Sequence, residues 1–374
     1  MPIANCPLPY LYVMEKTIRV GLVGFGMSGR VFHAPFLHTL TQYELKAVVE
    51  RHKNEAENSY PNIETERSLE ALLKREDIDL VVITTPNETH FPYAKAALLA
   101  GKHVVLEKPF ANNSAEAAEL VKLGRESGKV FSVYQNRRYV GDFKTIRQLL
   151  KDGLLGEVHE YICHFDRYRD APKPEKAWRE EVRPGSGVFF DLGPHLIDQA
   201  LCLFGLPQFI TAFIKHQRPF AIVDDYFDVR LDYASGLTVI LKSGMLVREM
   251  GPRYAIHGTL GSYLKYGDDP QEELLKQGIM PVGYDWGKEP AEQNGILNTI
   301  INGEVVRKQV PTEAGNYGGF YTNLYDTIVN GAPLSEKPEH GYNTIRLIEL
   351  AIESNEKKCT LPCIQLLDEP YPAR

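Results

Sequence analysis

Apolar positions in the first third of the chain fall into short runs separated by stretches of helical spacing. Residues 18–23, 44–49, 80–84, 104–106 and 130–134 read as strands. Between them, residues 28–40, 69–75 behind a Ser68 cap, 91–100 ahead of Gly101, and a stretch opened by Asn113 with Glu116 and closed by Gly128 read as helices. Strands that are apolar throughout and alternate with helices predict a parallel sheet covered on both faces, with right-handed crossovers. The expected first unit is a doubly wound α/β domain over residues 15–135, behind a loose extension at 1–14.

Beyond a helical stretch at 143–150 the pattern changes to alternation. Residues 157–166, 209–215, 226–233, 237–242, 254–257 and 262–266 read as strands, with glycine-containing turns such as Ala234-Ser235-Gly236 favouring antiparallel pairing. Helical spacing returns near 195–204, 320–329 and 344–353. This predicts an α+β domain over residues 136–374. Residues 267–315 show no clear period and are expected to be long excursions from the sheet. Exposed strand faces in this domain suggest self-association.

Composition narrows the class. A chain of 374 residues suggests two or three domains at ~150 residues each and has ample core. With 43% hydrophobic and 24% charged residues it is neither disordered nor fibrous. No apolar run approaches the ~20 residues of a membrane span. The net charge of −7 argues against a nucleic-acid partner. Five scattered cysteines do not make a disulfide framework, and Cys359 with Cys363 lacks the second pair or histidine that zinc requires, so no metal is expected. The N-terminus has no basic segment or cleavage site of a secretion signal, and a reducing cytoplasm is the expected compartment.

Gly24-Phe25-Gly26-Met27-Ser28-Gly29 is a complete G-x-G-x-x-G between a predicted strand and a predicted helix. Gly24 permits the tight turn, Gly26 lets a pyrophosphate approach the backbone, and Gly29 lets helix and strand pack closely. The helix start offers unpaired N–H groups to phosphate. Glu50 ends the second strand, where an acid can accept hydrogen bonds from the adenosine ribose and favour NAD. Arg51 and His52 follow, and a cation there can hold the 2′-phosphate of NADP. NAD is slightly favoured on this reading, and NADP stays open. Thr85, Pro86 and Asn87 follow the strand at 80–84, at the sheet edge that would line the nicotinamide side. His90 beside them reads as a helix-start residue.

Glu107-Lys108-Pro109 leaves another strand at its carboxyl end, where Lys108 can reach across the nicotinamide. Asp191 and His195, four apart in a predicted helix, share a face. A carboxylate, an imidazole and an ammonium suit alcohol oxidation: one group takes the proton, one stabilises alkoxide, one orients. Asp198 reads either as support for them or as an ordinary polar helix position. Asn136, Arg137 and Arg138 read equally as a bridge between the domains or as cofactor contacts.

Residues 21–29 (GLVGFGMSG), 100–110 (AGKHVVLEKPF) and 191–201 (DLGPHLIDQAL), in this order, resemble the Gfo/Idh/MocA oxidoreductases. The likeness runs from about Ile18 to the end. It implies a Rossmann domain, then a substrate domain with a large, mostly antiparallel sheet that forms dimers or tetramers. It also implies catalytic roles for Lys108, Asp191 and His195, with Glu107 and Lys108 beside the cofactor. Residues 134–143, 166–180, 251–267 and 315–321 are similar to the scyllo-inositol 2-dehydrogenase branch, which prefers NADP. Glu50-Arg51-His52 departs from that branch's Ser-Arg-Thr type segment.

Arg167, Tyr168, Trp178, Arg179 and Asn316 are candidates for holding a small polyol or sugar, scyllo-inositol with its ketone being the leading pair. Two rivals stay open: a dinucleotide-binding sugar sensor without turnover, and an NAD-dependent glycosidase of the same family.

Overall fold

The computed structural model describes residues 16–171 and 181–372. Its first unit is a six-stranded, wholly parallel sheet in the order β3-β2-β1-β4-β5-β6. The strands are β1 (Ile18–Val23), β2 (Tyr43–Val49), β3 (Glu64–Glu66), β4 (Leu80–Ile83), β5 (His103–Leu106) and β6 (Phe131–Val133). Helices α1 (Ala34–Thr39), α2 (Glu55–Ser59), α3 (Leu69–Leu73), α4 (His90–Leu99) and α5 (Ser114–Ser127) connect them. β4 is buried along its whole length because helices cover both sheet faces, as its unbroken LVVI run predicts. Ser68 and Asn113 cap α3 and α5 with their side chains, and Gly128 closes α5 with φ +62°, as the sequence predicts. The strand order reverses between β1 and β4, and ligands of doubly wound sheets bind at the carboxyl ends of such a pair.

After α6 (Gly141–Lys151) comes the second unit, a nine-stranded sheet in the order β14-β13-β12-β11-β7-β10-β9-β8-β15. Its strands are β7 (Val158–His164), β8 (Phe209–Lys215), β9 (Tyr226–Asp232), β10 (Thr238–Gly244), β11 (Tyr254–Gly258), β12 (Gly261–Lys265), β13 (Gly295–Ile301), β14 (Glu304–Val310) and β15 (Leu361–Pro362). All pairs are antiparallel except the central β7–β10 pair, which is parallel because α7 (Val188–Phe204) and a hairpin intervene between them. The long excursion expected at 267–315 is corrected here. It holds helix α8 (Gln271–Lys276) and the β13–β14 hairpin, which turns at Asn302-Gly303 with both residues at positive φ. That dipeptide is a strong hairpin signal. It is easily missed because β14 is largely exposed and lacks a clean apolar alternation.

Helix α7 lies on β9 and β10, and α10 (Pro338–Lys357) packs against α5, α7 and β8. Helix α9 (Gly318–Asn330) also reaches the first unit, where the Tyr43 hydroxyl donates to the Tyr321 carbonyl at 2.7 Å. The last helices therefore clamp the two sheets together. No helix among the described residues is long and apolar enough to cross a membrane.

Candidate active site

The glycine loop leaves β1 at the carboxyl edge of the parallel sheet. Gly24 has φ +97°, which favours glycine, and a Cβ on Gly29 would lie 2.3 Å from the Gly24 carbonyl oxygen. A Cβ on Gly26 would meet nothing within 4 Å, so the backbone there faces open space that a pyrophosphate can approach. Residues 27–39 are helical, with a π turn at Gly29–His33 in place of a regular start. Phe25 and Met27 pack into the core, and Thr84 Oγ1 donates to the Gly24 carbonyl at 2.9 Å. The residues present fit a dinucleotide.

At the end of β5, Glu107 is buried and its carboxylate ties three segments together. It accepts from Ser28 Oγ of the glycine loop, from the Lys108 N–H at 2.9 Å, and meets His33 Nε2 at 3.0 Å. His33 Nδ1 meets the Tyr321 hydroxyl of α9 at 2.6 Å. Burial pushes the Glu107 pKa up, and His33, Ser28 and Lys108 outweigh it, so the group is held below its ordinary value. The sequence places Glu107 beside the cofactor, while its oxygens are occupied by protein groups that fix the loop and aim Lys108. His33 was not singled out from the sequence, since no local pattern links it to residues 107 and 321. His90 is buried with Nδ1 2.7 Å from the Pro109 carbonyl and Nε2 2.9 Å from that of Thr85. It thus joins the two strand-end loops, beyond its place at the start of α4.

Helix α7 carries Asp191 and His195 one turn apart, as their spacing predicts. Its first turn is fixed by Asp224, whose carboxylate accepts the Phe189 N–H at 2.7 Å and whose carbonyl accepts the Val188 N–H at 2.9 Å. Lys108 Nζ donates to the Asp191 carbonyl at 2.7 Å and lies 3.2 Å from Asp191 Oδ1. His195 is buried, with Nδ1 lacking a hydrogen-bond partner among the described residues. Burial, then the charges of Lys108 and Arg137, drives its pKa well below the ordinary histidine value against the pull of Asp191. The imidazole is therefore neutral at neutral pH and can accept a proton. Asn87 Nδ2 donates to the Gly185 carbonyl at 3.1 Å, docking the approach to α7 on the loop after β4. That loop carries Thr85, whose hydroxyl accepts from Thr89 at 2.6 Å, and Pro86.

Other expected groups are placed differently. Both Glu50 oxygens accept backbone N–H groups, from Glu55 at 3.2 Å and Ala56 at 2.9 Å, so this carboxylate caps α2, whereas Arg51 is exposed. Tyr168 is exposed and stacked under Arg248, with 4.1 Å between guanidinium carbon and ring centroid. Asn316 accepts the Gly318 N–H at 3.0 Å at the start of α9. Trp178 and Arg179 lie outside the described residues. Arg138 is a bridge: it grips both oxygens of Asp198 at 2.6 and 2.7 Å and donates to the Ser335 carbonyl at 2.7 Å. Arg137 instead faces inward, with Nη2 2.5 Å from Glu272 and Nη1 3.0 Å from the Tyr317 hydroxyl.

Comparison with known proteins agrees with this architecture. Residues 18–135 match the family model "Oxidoreductase family, NAD-binding Rossmann fold", and residues 147–362 match "Oxidoreductase family, C-terminal alpha/beta domain", both of the Gfo/Idh/MocA type. The chain is similar to the scyllo-inositol 2-dehydrogenase (NADP(+)) IolW of Bacillus subtilis, with 39% identity over 345 residues, 92% of this chain and 96% of that protein. It is 41% identical to the uncharacterized oxidoreductase YdgJ of Escherichia coli over 348 residues, 93% of this chain and 99% of the relative. The solved structure of the oxidoreductase yvaA from Bacillus subtilis superposes with a TM-score of 0.90 at 38% identity, covering 93% of this chain and 99% of that one. With both domain models matched in order and relatives aligned along nearly their whole length, the chain belongs to the Gfo/Idh/MocA oxidoreductase family.

Proposed function

We propose that this oxidoreductase is an NAD(P)-dependent dehydrogenase that moves a hydride between the nicotinamide and a secondary alcohol or ketone of a cyclic polyol or sugar. The observation that carries this reading is the meeting of Lys108 with Asp191, 83 positions apart, with buried His195 one turn further along α7, at the carboxyl edge of a dinucleotide-type sheet. The glycine loop and the loop after β4 would hold the dinucleotide, and the nicotinamide supplies the hydride acceptor when bound. His195 takes the hydroxyl proton as the carbon–hydrogen bond breaks, and returns it in the reverse direction. The Lys108 ammonium donates to the substrate oxygen and stabilises its alkoxide character. Asp191 holds that ammonium in line.

Of the two cofactors, the reading favours NADP. The carboxylate expected to bind the ribose of NAD is committed to the α2 backbone, while Arg51 is exposed beside it. The name of IolW points the same way. Scyllo-inositol is the first substrate to try, on the strength of the same relative. Self-association through the outer sheet face, where β8 leaves Phe209 and Phe213 exposed, completes the reading and is checked by light scattering.

A panel of polyols and sugars run with NAD and NADP in parallel tests it. Net cofactor reduction with an NADP preference above ~10-fold in kcat/KM is expected. Glycoside cleavage without net cofactor change would make the protein a hydrolase, and tight dinucleotide binding with neither reaction would make it a sensor.

A further inference from the structure

Three arginines converge on one aromatic ring, that of Phe165. The guanidinium carbons of Arg253, Arg167 and Arg137 lie 3.8, 5.1 and 5.5 Å from the centroid of the Phe165 ring. They come from distant parts of the chain, so the fold gathers like charges that would otherwise repel. Arg137 has its own carboxylate in Glu272. Arg253 donates to the His164 carbonyl at 2.7 Å and has Asp268 at 4.0 Å. Arg167 is different. Its backbone is pinned, with N–H to the Gly244 carbonyl at 2.9 Å and its carbonyl accepting from Val247 at 3.0 Å. Its half-buried guanidinium has no hydrogen bond or ion pair among the described residues.

The acceptors nearby are already engaged. Asp191 holds Lys108, and Glu272 serves Arg137 at 2.5 Å and Lys276 at 2.7 Å. Buried Nε atoms of Arg137 and Arg253 also lack a hydrogen-bond partner among the described residues. Burial lowers the Arg167 pKa against the pull of Asp191. The cluster is tied to α7, the helix of Asp191 and His195, by Gln199 Nε2, which donates to the Arg137 carbonyl at 2.8 Å. A half-buried guanidinium without an acceptor is best matched by a ligand that supplies one. A neutral hydroxyl offers one oxygen, whereas a guanidinium fork matches the two oxygens of a carboxylate or phosphate.

We propose that the substrate of this site is an acidic sugar or cyclitol, whose carboxylate or phosphate docks on Arg167 next to the carbon that is oxidised. The inference rests on the dehydrogenase reading above and sharpens its substrate class.

The test compares matched rings under saturating NADP⁺: D-glucose with D-glucuronate and D-glucose 6-phosphate, and scyllo-inositol with an inositol monophosphate. At least one acidic compound should exceed its neutral counterpart by about 100-fold in kcat/KM, the glucuronate and phosphate arms telling which acid is meant. In Arg167→Gln that ratio should fall to within about threefold. Arg167→Lys should keep part of the preference for phosphate and less of that for carboxylate, since its ammonium is a point charge without the fork. Neutral compounds used as well as their acidic counterparts by the wild-type protein would overturn the inference while leaving the dehydrogenase reading intact. So would an acid preference that survives Arg167→Gln. No reduction of NADP⁺ or NAD⁺ by any ring alcohol, neutral or acidic, would instead sink the dehydrogenase reading and this inference with it.

Discussion

Replacing Lys108 by Met tests the centre of the mechanism, because it removes one charge and leaves the side-chain volume nearly unchanged. Two effects should separate. The ammonium lies 3.2 Å from Asp191 Oδ1, a gross attraction of ~5 kcal/mol at an effective dielectric of about 20. Side-chain exposures of 17% for Lys108 and 29% for Asp191 let solvent compensate much of this, so the net stability loss should be only ~1–2 kcal/mol. Turnover should suffer more. A donor aimed at developing oxyanion charge contributes about 10²–10³ in kcat, or ~3–4 kcal/mol. The dinucleotide should bind within a few-fold of wild type, because the glycine loop does not use this ammonium. A third readout is specific to the geometry. Lys108 is, after burial, the largest influence lowering the His195 pKa. Without it that pKa rises, and since oxidation needs the neutral imidazole, the acid limb of kcat/KM should move to higher pH. The assays are stopped-flow hydride transfer with the best substrate of the panel, cofactor titration by fluorescence, and a pH series. A kcat within threefold of wild type, or a defect confined to cofactor affinity, would refute the role given to Lys108.

Three further outcomes follow from the structure. Gly29→Ala puts a Cβ 2.3 Å from the Gly24 carbonyl oxygen, so the loop must shift. It should cost about 1–3 kcal/mol in thermal unfolding and weaken NADPH binding more than ~10-fold. Asp198→Ala leaves the buried Arg138 without its two-oxygen partner and should cost about 3–5 kcal/mol in urea unfolding. Asp142 is raised to about 7 by burial, so the folded state keeps a proton that the unfolded chain releases near pH 4. That contribution is present below the unfolded pKa and is lost as pH rises toward 7. The stability of wild type relative to Asp142→Asn should therefore fall between about pH 4 and 7 and level off above that, read from unfolding midpoints of both proteins at each pH.

The legible parts of this protein are those whose physics is local. β4 announced itself as LVVI because a strand buried on both faces must be apolar throughout. The Gly24 turn and the Gly29 contact follow from steric needs within one loop. Asp191 and His195 could be placed on one face because four residues make about one helical turn. The hairpin at 295–310 was also written locally, in Asn302-Gly303, and was obscured by the polar composition of β14. Glu50 shows where local evidence is incomplete. Its position at the end of β2 suits a ribose ligand, yet the unpaired N–H groups of α2 five and six residues later compete for the same carboxylate. What no local pattern carries is the pairing of charges across the fold. Glu107 is held by residues 28 and 33, and Phe165 collects guanidinium groups from positions 137, 167 and 253. An arginine in a sequence looks the same whether a carboxylate awaits it or not. The chemistry proposed for the reaction could be read because its groups must be of certain types, while the proposed selectivity depends on which groups the fold leaves without a partner among the described residues.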